Sequence, residues 1–124
     1  MAKATLLIAE DDAVLRNLYL KKFTVEGYDV KTCENGEDVI ASLKQNAPDL
    51  LICDIHMPKA DGFQVLREFP RANRKYPIIM LTNFDQDDFK VRAEELGADD
   101  YFIKKDMTIR TLVEMVDRLL SGKK

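Results

Sequence analysis

The sequence predicts an α/β domain built on a doubly wound, five-stranded parallel sheet. Apolar runs of strand length alternate five times with segments whose apolar residues recur at helical spacing. Four of the five runs are apolar throughout, which is typical of strands that helices cover on both faces of a parallel sheet. A chain of 124 residues, 46% of them hydrophobic, suits one domain, and we assign it residues 1–124.

Each predicted strand is a short apolar run that ends at polar or turn-forming residues. The five runs are Thr5–Ala9, Tyr28–Cys33, Leu50–Cys53, Ile78–Leu81 and Tyr101–Ile103. The second run, YDVKTC, alternates apolar and polar residues, so we expect it at an edge of the sheet. An edge position for the second strand fits the flavodoxin-like order 2-1-3-4-5, a (βα)5 three-layer sandwich.

Five predicted helices follow the strands. Their apolar positions are Leu15, Leu18, Tyr19 and Phe23; Val39, Ile40, Leu43 and Ala47; Phe63, Leu66 and Phe69; Phe89, Ala93 and Leu96; and Ile109, Leu112, Val113, Val116 and Leu120. Gly27 and Gly97 predict the ends of the first and fourth helices. Pro48 and Pro70 predict the ends of the second and third.

Composition argues against several classes of protein. A formal net charge of −3 gives no broad basic surface, so we expect no direct binding to nucleic acid. No apolar run suits a signal peptide or a membrane span, so we expect a cytoplasmic location. Cys33 and Cys53 would lie two strand spacings apart, about 9 to 10 Å. That distance is too long for a disulfide, so we interpret both residues as core thiols.

The residues that follow the strands are the candidates for a functional site, because ligands of this fold bind at the carboxyl ends of the strands. They are Glu10, Asp11 and Asp12 after the first strand, Asp54 after the third, Thr82 and Asn83 after the fourth, and Lys104 and Lys105 after the fifth. Taken singly, each has an ordinary interpretation; the acidic tripeptide, for example, suits a helix cap. Where three of these carboxylates converge in one cleft, neither one lysine nor a helix dipole neutralises them, and the excess of negative charge favours a bound cation. Hard oxygen ligands suit Mg²⁺.

Four segments of the chain carry a family resemblance. LLIAEDD, DLLICDIHMPKADG, IIMLT and LGADDYFIKKD resemble, in order and spacing, the receiver domain of bacterial two-component response regulators, including the single-domain chemotaxis regulators. The resemblance implies that Asp54 accepts a phosphoryl group from a sensor histidine kinase or a histidine phosphotransfer protein. It also implies Mg²⁺ binding by Asp11, Asp54 and the backbone carbonyl of His56, with Glu10 acting through water.

The same resemblance implies roles for three residues near the other strand ends. Thr82 and Lys104 would contact the phosphoryl oxygens. Tyr101 would be an aromatic switch that couples Thr82 to the face formed by the fourth helix, the fifth strand and the fifth helix. We expect that face to bind a protein partner, the domain to be a monomer or a weak phosphorylation-dependent dimer, and no catalysis beyond its own phosphorylation and slow dephosphorylation.

Several positions depart from the family pattern or modify it. Lys105 stands where receivers often have a proline, which affects the geometry of the loop after Lys104, and Asn83 replaces a small residue. His56 and Phe84 would flank the approach of a hydrolytic water, and we expect them to shield the phosphoryl group. The lone histidine lacks partner ligands for a metal, and Asp61 is expected to cap the third helix.

Other functions with this architecture fit less well. A flavodoxin-like cofactor carrier would need a hydroxyl- or glycine-rich phosphate loop after the first strand, where this chain has three acids. An aspartate-nucleophile phosphohydrolase would carry its nucleophile after the first strand instead of the third. Within the receiver interpretation, the alternative is a segment of a longer regulator with an output domain.

Overall fold

Five strands and five α-helices alternate in the part of the chain that the computed structural model describes, residues 3–83, 87–105 and 107–122. The strands are β1 (Thr5–Ala9), β2 (Asp29–Cys33), β3 (Leu50–Asp54), β4 (Ile78–Thr82) and β5 (Asp100–Ile103). The helices are α1 (Ala13–Val25), α2 (Gly36–Gln45), α3 (Gly62–Glu68), α4 (Asp87–Glu95) and α5 (Ile109–Leu120). A short 3₁₀ turn, Arg71–Asn73, lies between α3 and β4.

The strands form one parallel sheet in the order β2-β1-β3-β4-β5, which confirms the predicted topology. Strand β2 lies at an edge, and its residues are exposed or half-buried, as its alternating sequence predicts. Ala9 is in register with Cys33 on one side and Cys53 on the other. The two cysteines are therefore separated by a whole strand, and both are free thiols.

Alternate residues of each central strand pack into two separate hydrophobic layers. In β3, Leu51 and Cys53 belong to the layer covered by α2, α3 and α4. Leu50 and Ile52 belong to the layer covered by α1 and α5. Helices thus cover both faces of the sheet. The carboxyl ends of the strands are not covered in this way, and side chains there can contact a ligand.

Two helix predictions need correction. Leu18 is 49% exposed, whereas Tyr19 and Phe23 are buried on the face of α1 that covers the sheet. The buried face follows the spacing of four residues, and Leu18 lies beside it. Helix α2 ends at Gln45, so Ala47 lies outside it and is exposed. Its proline neighbour explains this end, because a residue before proline disfavours helical backbone angles.

The glycines predicted as helix ends occupy those places. Gly27 and Gly97 have φ angles of 101° and 102°, a left-handed conformation that favours glycine at the end of a helix. Within the described ranges, no helix combines the length and the apolar character that a membrane span requires. The cytoplasmic location stays a prediction.

Candidate functional site

Three carboxylates converge at the carboxyl ends of β1 and β3. Glu10 directly follows β1, and Asp54 is the last residue of the neighbouring strand β3. Ligand oxygens of Glu10, Asp11 and Asp54 all lie within 4.8 Å of one another. Glu10 and Asp54 are buried, whereas Asp11 is exposed. The structure therefore brings together the acidic residues that the sequence assigned to one site.

Lys104, which directly follows the edge strand β5, also contacts this cluster. Its Nζ atom lies 2.6 Å from Oε1 of Glu10 and 3.0 Å from Oδ2 of Asp54. The backbone N–H of Lys104 donates to the carbonyl of Thr82 over 2.7 Å, which ties the residue after β5 to the end of β4. Lys104 thus forms ion pairs with both buried carboxylates.

Burial dominates the ionisation of the two buried acids. It raises the pKa of Glu10 to about 7, even though the hydrogen bond with Lys104 acts in the opposite direction. Burial also raises the pKa of Asp54, again against the effect of Lys104. For Lys104, burial lowers the pKa, but Glu10 and Asp54 outweigh it and the net shift is upward. One lysine among three carboxylates leaves negative charge uncompensated, and this all-oxygen donor set fits a hard divalent cation such as Mg²⁺.

Asp12 has a different role from the two acids that precede it. Its Oδ1 accepts from the backbone N–H groups of Val14 and Leu15, at 2.9 and 3.1 Å. Its own N–H donates to Oε2 of Glu10 over 3.1 Å. The helix-cap interpretation of the acidic tripeptide is therefore right for Asp12, while Glu10 and Asp11 face the site.

The loop between β3 and α3 is closely packed against the end of β3. A Cβ atom on Gly62 would lie 2.7 Å from the carbonyl oxygen of Asp54 and 2.4 Å from Cε of Met80. Only glycine fits at this distance. Asp61 caps α3 by accepting from the backbone N–H three residues on, at 2.9 Å, as predicted.

The remaining predicted residues lie around the cluster. Thr82 ends β4 and is fully buried, one residue beyond the position that pairs with Asp54. Tyr101 is buried on β5, in the layer under α2, α3 and α4. His56 is exposed, with its ring 5.4 Å from that of Phe89.

Three positions remain from the sequence analysis: the two departures from the family pattern, Asn83 and Lys105, and the expected shielding residue Phe84. Asn83 and Lys105 are both exposed. The Lys104–Lys105 peptide bond is trans, as are the other peptide bonds between described residues. Phe84 lies outside the described residues, so its expected shielding role stays a prediction.

A family model for the response regulator receiver domain matches residues 6–117. The chain belongs to this family. It is 34% identical to a probable transcriptional regulator, ycf27, of Porphyridium aerugineum over 98% of this chain and 53% of that protein. It is 35% identical to the alkaline phosphatase synthesis regulatory protein PhoP of Bacillus subtilis over 80% of this chain and 41% of that protein. The chain therefore spans about half the length of these curated relatives.

Solved receiver domains have the same fold. The receiver domain of the Francisella response regulator 1452 superposes with a TM-score of 0.91, at 27% identity, over 98% of this chain and 100% of that one. The receiver domain of a signal transduction histidine kinase from Syntrophus aciditrophicus gives a TM-score of 0.86 at 32% identity, over 98% and 92% of the two chains.

One residue near the site of this receiver domain, Arg16, was not predicted from the sequence. Nη1 of Arg16 donates to the backbone carbonyl oxygens of Glu10 and Asp11, at 3.0 and 3.4 Å. The available signal was its spacing, because Arg16 lies four residues after the cap residue Asp12 and so on the same side of α1.

Proposed function

We propose that this receiver domain accepts a phosphoryl group on Asp54 from a histidine of a sensor kinase or a histidine phosphotransfer protein, in a reaction that requires Mg²⁺. The position of Asp54 carries the proposal. Its buried carboxylate ends a central strand, lies 3.0 Å from Nζ of Lys104 and shares its surroundings with Glu10 and Asp11. A carboxylate placed in this way can act as a nucleophile toward phosphorus.

The proposed reaction is a displacement at phosphorus. A carboxylate oxygen of Asp54 forms the new P–O bond while the P–N bond to the donor histidine breaks, and its electron pair remains on the imidazole nitrogen. Nucleophile and phosphoryl group are both anionic and repel each other. Lys104 would reduce this repulsion when its ammonium group exchanges its contact with Asp54 for one with a phosphoryl oxygen. The Thr82 hydroxyl donates a hydrogen bond to another phosphoryl oxygen.

The cation site is the second part of the proposal. Asp11, Asp54 and the backbone carbonyl of His56 would hold Mg²⁺, and Glu10 would act through a water molecule. The bound ion would offset the negative charge of the carboxylates and of the incoming phosphoryl group. Support comes from the three clustered carboxylates, which one lysine cannot neutralise, and from the upward shift in the pKa of Glu10, which burial causes and the Asp54 carboxylate increases.

The proposed output is a change in the surface of α4, β5 and α5. After phosphorylation Thr82 would turn toward the phosphoryl group, and Tyr101 would occupy the space released, which favours a second conformation that binds a protein partner. Both residues are buried and lie on adjacent strands, which supports a coupling between them. The domain would act as a monomer or a weak phosphorylation-dependent dimer and would catalyse only its own phosphorylation and dephosphorylation.

A second arrangement is favoured by the relatives. Those described as transcriptional regulators are about twice as long as this chain, which covers 53% of one and 41% of another. In this arrangement the receiver is one part of a longer regulator whose output domain contacts DNA, while the receiver itself does not. The full open reading frame tests this arrangement.

Intact-mass measurement tests the phosphorylation. We expect the protein to gain one phosphoryl group when it is incubated with acetyl phosphate and Mg²⁺, and to gain none in the presence of a chelator. Asp54→Asn should abolish the gain. Asp61→Asn, which changes an exposed carboxylate in the loop after β3, is the matched control and should label as the wild type does. Labelling without metal, or full labelling of Asp54→Asn, would contradict the proposal.

A further inference from the structure

We propose that Arg16 is a positioning residue for the cation site, an inference that rests on the proposed Mg²⁺-dependent function. Arg16 lies on α1, and its side chain is only 17% exposed. A single guanidinium nitrogen, Nη1, is 3.0 Å from the carbonyl oxygen of Glu10 and 3.4 Å from that of Asp11. Arg16 thus holds the backbone of two consecutive acidic residues of the site.

The contact matters most for Asp11. Glu10 is buried, its N–H donates to the carbonyl of Cys33 over 3.1 Å, and its carboxylate is paired with Lys104. Asp11 is exposed, so packing does little to orient its side chain. The direction of its carboxylate therefore depends on the orientation of the backbone, which Arg16 holds through the two carbonyl groups that precede and follow the Cα atom of Asp11.

The other contact of Arg16 is weak. Its Nη2 lies 3.9 Å from Oε1 of Glu34, a side chain that is 69% exposed. Exposed ion pairs of this kind contribute little. The half-buried guanidinium of Arg16 thus contacts mainly the carbonyl groups of the acidic loop, and Glu34→Gln should leave the site unchanged.

The test is the dissociation constant for Mg²⁺, measured by titration calorimetry or by amide shifts. Arg16→Gln should weaken binding about ten-fold, the scale on which residues that orient metal ligands act. Lys22→Gln is the matched control: it removes the same charge from the same helix, at a residue paired with Glu26 over 3.5 Å, and should leave the constant unchanged. Saturating Mg²⁺ should restore the phosphorylation rate of Arg16→Gln, because the expected defect is one of affinity.

Three results would overturn the inference: wild-type Mg²⁺ affinity in Arg16→Gln, an equal loss of affinity in Lys22→Gln, or a phosphorylation defect that saturating Mg²⁺ does not restore. If Arg16→Gln fails to fold by circular dichroism, Arg16→Met, which keeps an apolar stem, is judged by the same criteria. Failure of the proposed function has a different signature, because the wild type itself would then bind no Mg²⁺ or Asp54→Asn would still be labelled.

Discussion

Nζ of Lys104 lies 3.0 Å from Oδ2 of Asp54, and both side chains are less than one-tenth exposed. In the state described, the lysine is therefore in contact with the carboxylate that we propose as nucleophile. The same nitrogen is also 2.6 Å from Oε1 of Glu10, so a single lysine contacts both buried carboxylates.

Removing this lysine should separate its roles in stability and in catalysis. In chelator at pH 7, Lys104→Met should lower the free energy of unfolding by about 3 kcal/mol, because two buried carboxylates lose their cation. Mg²⁺ affinity should not weaken, since the lysine competes for the same oxygens, but phosphorylation should be much slower. Urea denaturation, calorimetry and mass measurement check the three expectations. Lys105→Met, at the exposed neighbour, is the control; unchanged stability of Lys104→Met would be the contrary result.

The coupling between Thr82 and Tyr101 can be tested without a partner protein. Thr82→Ala should still accept a phosphoryl group, because the nucleophile and the acidic cluster remain. With beryllofluoride, which stands in for the phosphoryl group, its amide shift changes near Tyr101 should be much smaller than in the wild type. Thr32→Ala, an exposed threonine of β2, should respond as the wild type does. Shift changes of wild-type size in Thr82→Ala would refute the coupling.

Arg74 should be a major source of stability far from the site. Its side chain is 2% exposed and is paired with Asp99 at 2.9 Å. It also donates to three backbone carbonyl oxygens, those of Phe69, Tyr76 and Gly97. Arg74→Ala removes a donor from these part-buried carbonyl groups and breaks the ion pair, while Arg71 still contacts Gly97 and Asp99. We therefore expect a loss of about 2 kcal/mol in unfolding free energy by urea denaturation. Arg71→Ala, at a neighbour that is 61% exposed, should cost less than about 1 kcal/mol.

Gly36 allows the start of α2 to pack closely against the loop that follows Asp54. A Cβ atom there would lie 2.0 Å from the carbonyl oxygen of Ala60. Gly36→Ala must displace that loop, so we expect about 2 kcal/mol of destabilisation and a slower phosphorylation. Gly122→Ala is the comparison: its Cβ would meet nothing within 4 Å, and its positive φ alone should cost about 1 kcal/mol. Equal effects at the two glycines would argue against the close contact.

Ionisation of Tyr28 should lower the free energy of unfolding at alkaline pH. Burial raises the pKa of Tyr28 above its usual range, and its hydrogen bond to Asp117 adds to the shift. Because the folded-state pKa lies above the unfolded value of about 10, the stabilisation is complete below pH 10 and is lost as pH rises through the folded-state pKa. Urea denaturation at several pH values should show a shallower alkaline decline for Tyr28→Phe than for the wild type. Asp117→Asn should be intermediate; identical slopes for all three proteins would exclude this origin.

Much of the fold was predictable because its signals are local. The length of each apolar run, its interruption by glycine or proline and the alternation in β2 depend on neighbouring residues, and they were sufficient for the sheet order. The acidic residues and Lys104 could be assigned to one edge because parallel strands carry their carboxyl ends to the same side. The exposure of Leu18 was not predictable, since it depends on how α1 is rotated against the sheet.

The sequence by itself determined the fold, the family resemblance and which acidic and basic residues belong to the site. Only the tertiary structure decided that Lys104 pairs with both Glu10 and Asp54, although Asp54 and Lys104 are 50 positions apart in the chain. Tertiary structure also distinguished the capping role of Asp12 from the site position of Asp11, and it revealed the contacts of Arg16. These features depend on ångström-scale distances and on burial, which arise only when distant strands are brought together and water is excluded from between them.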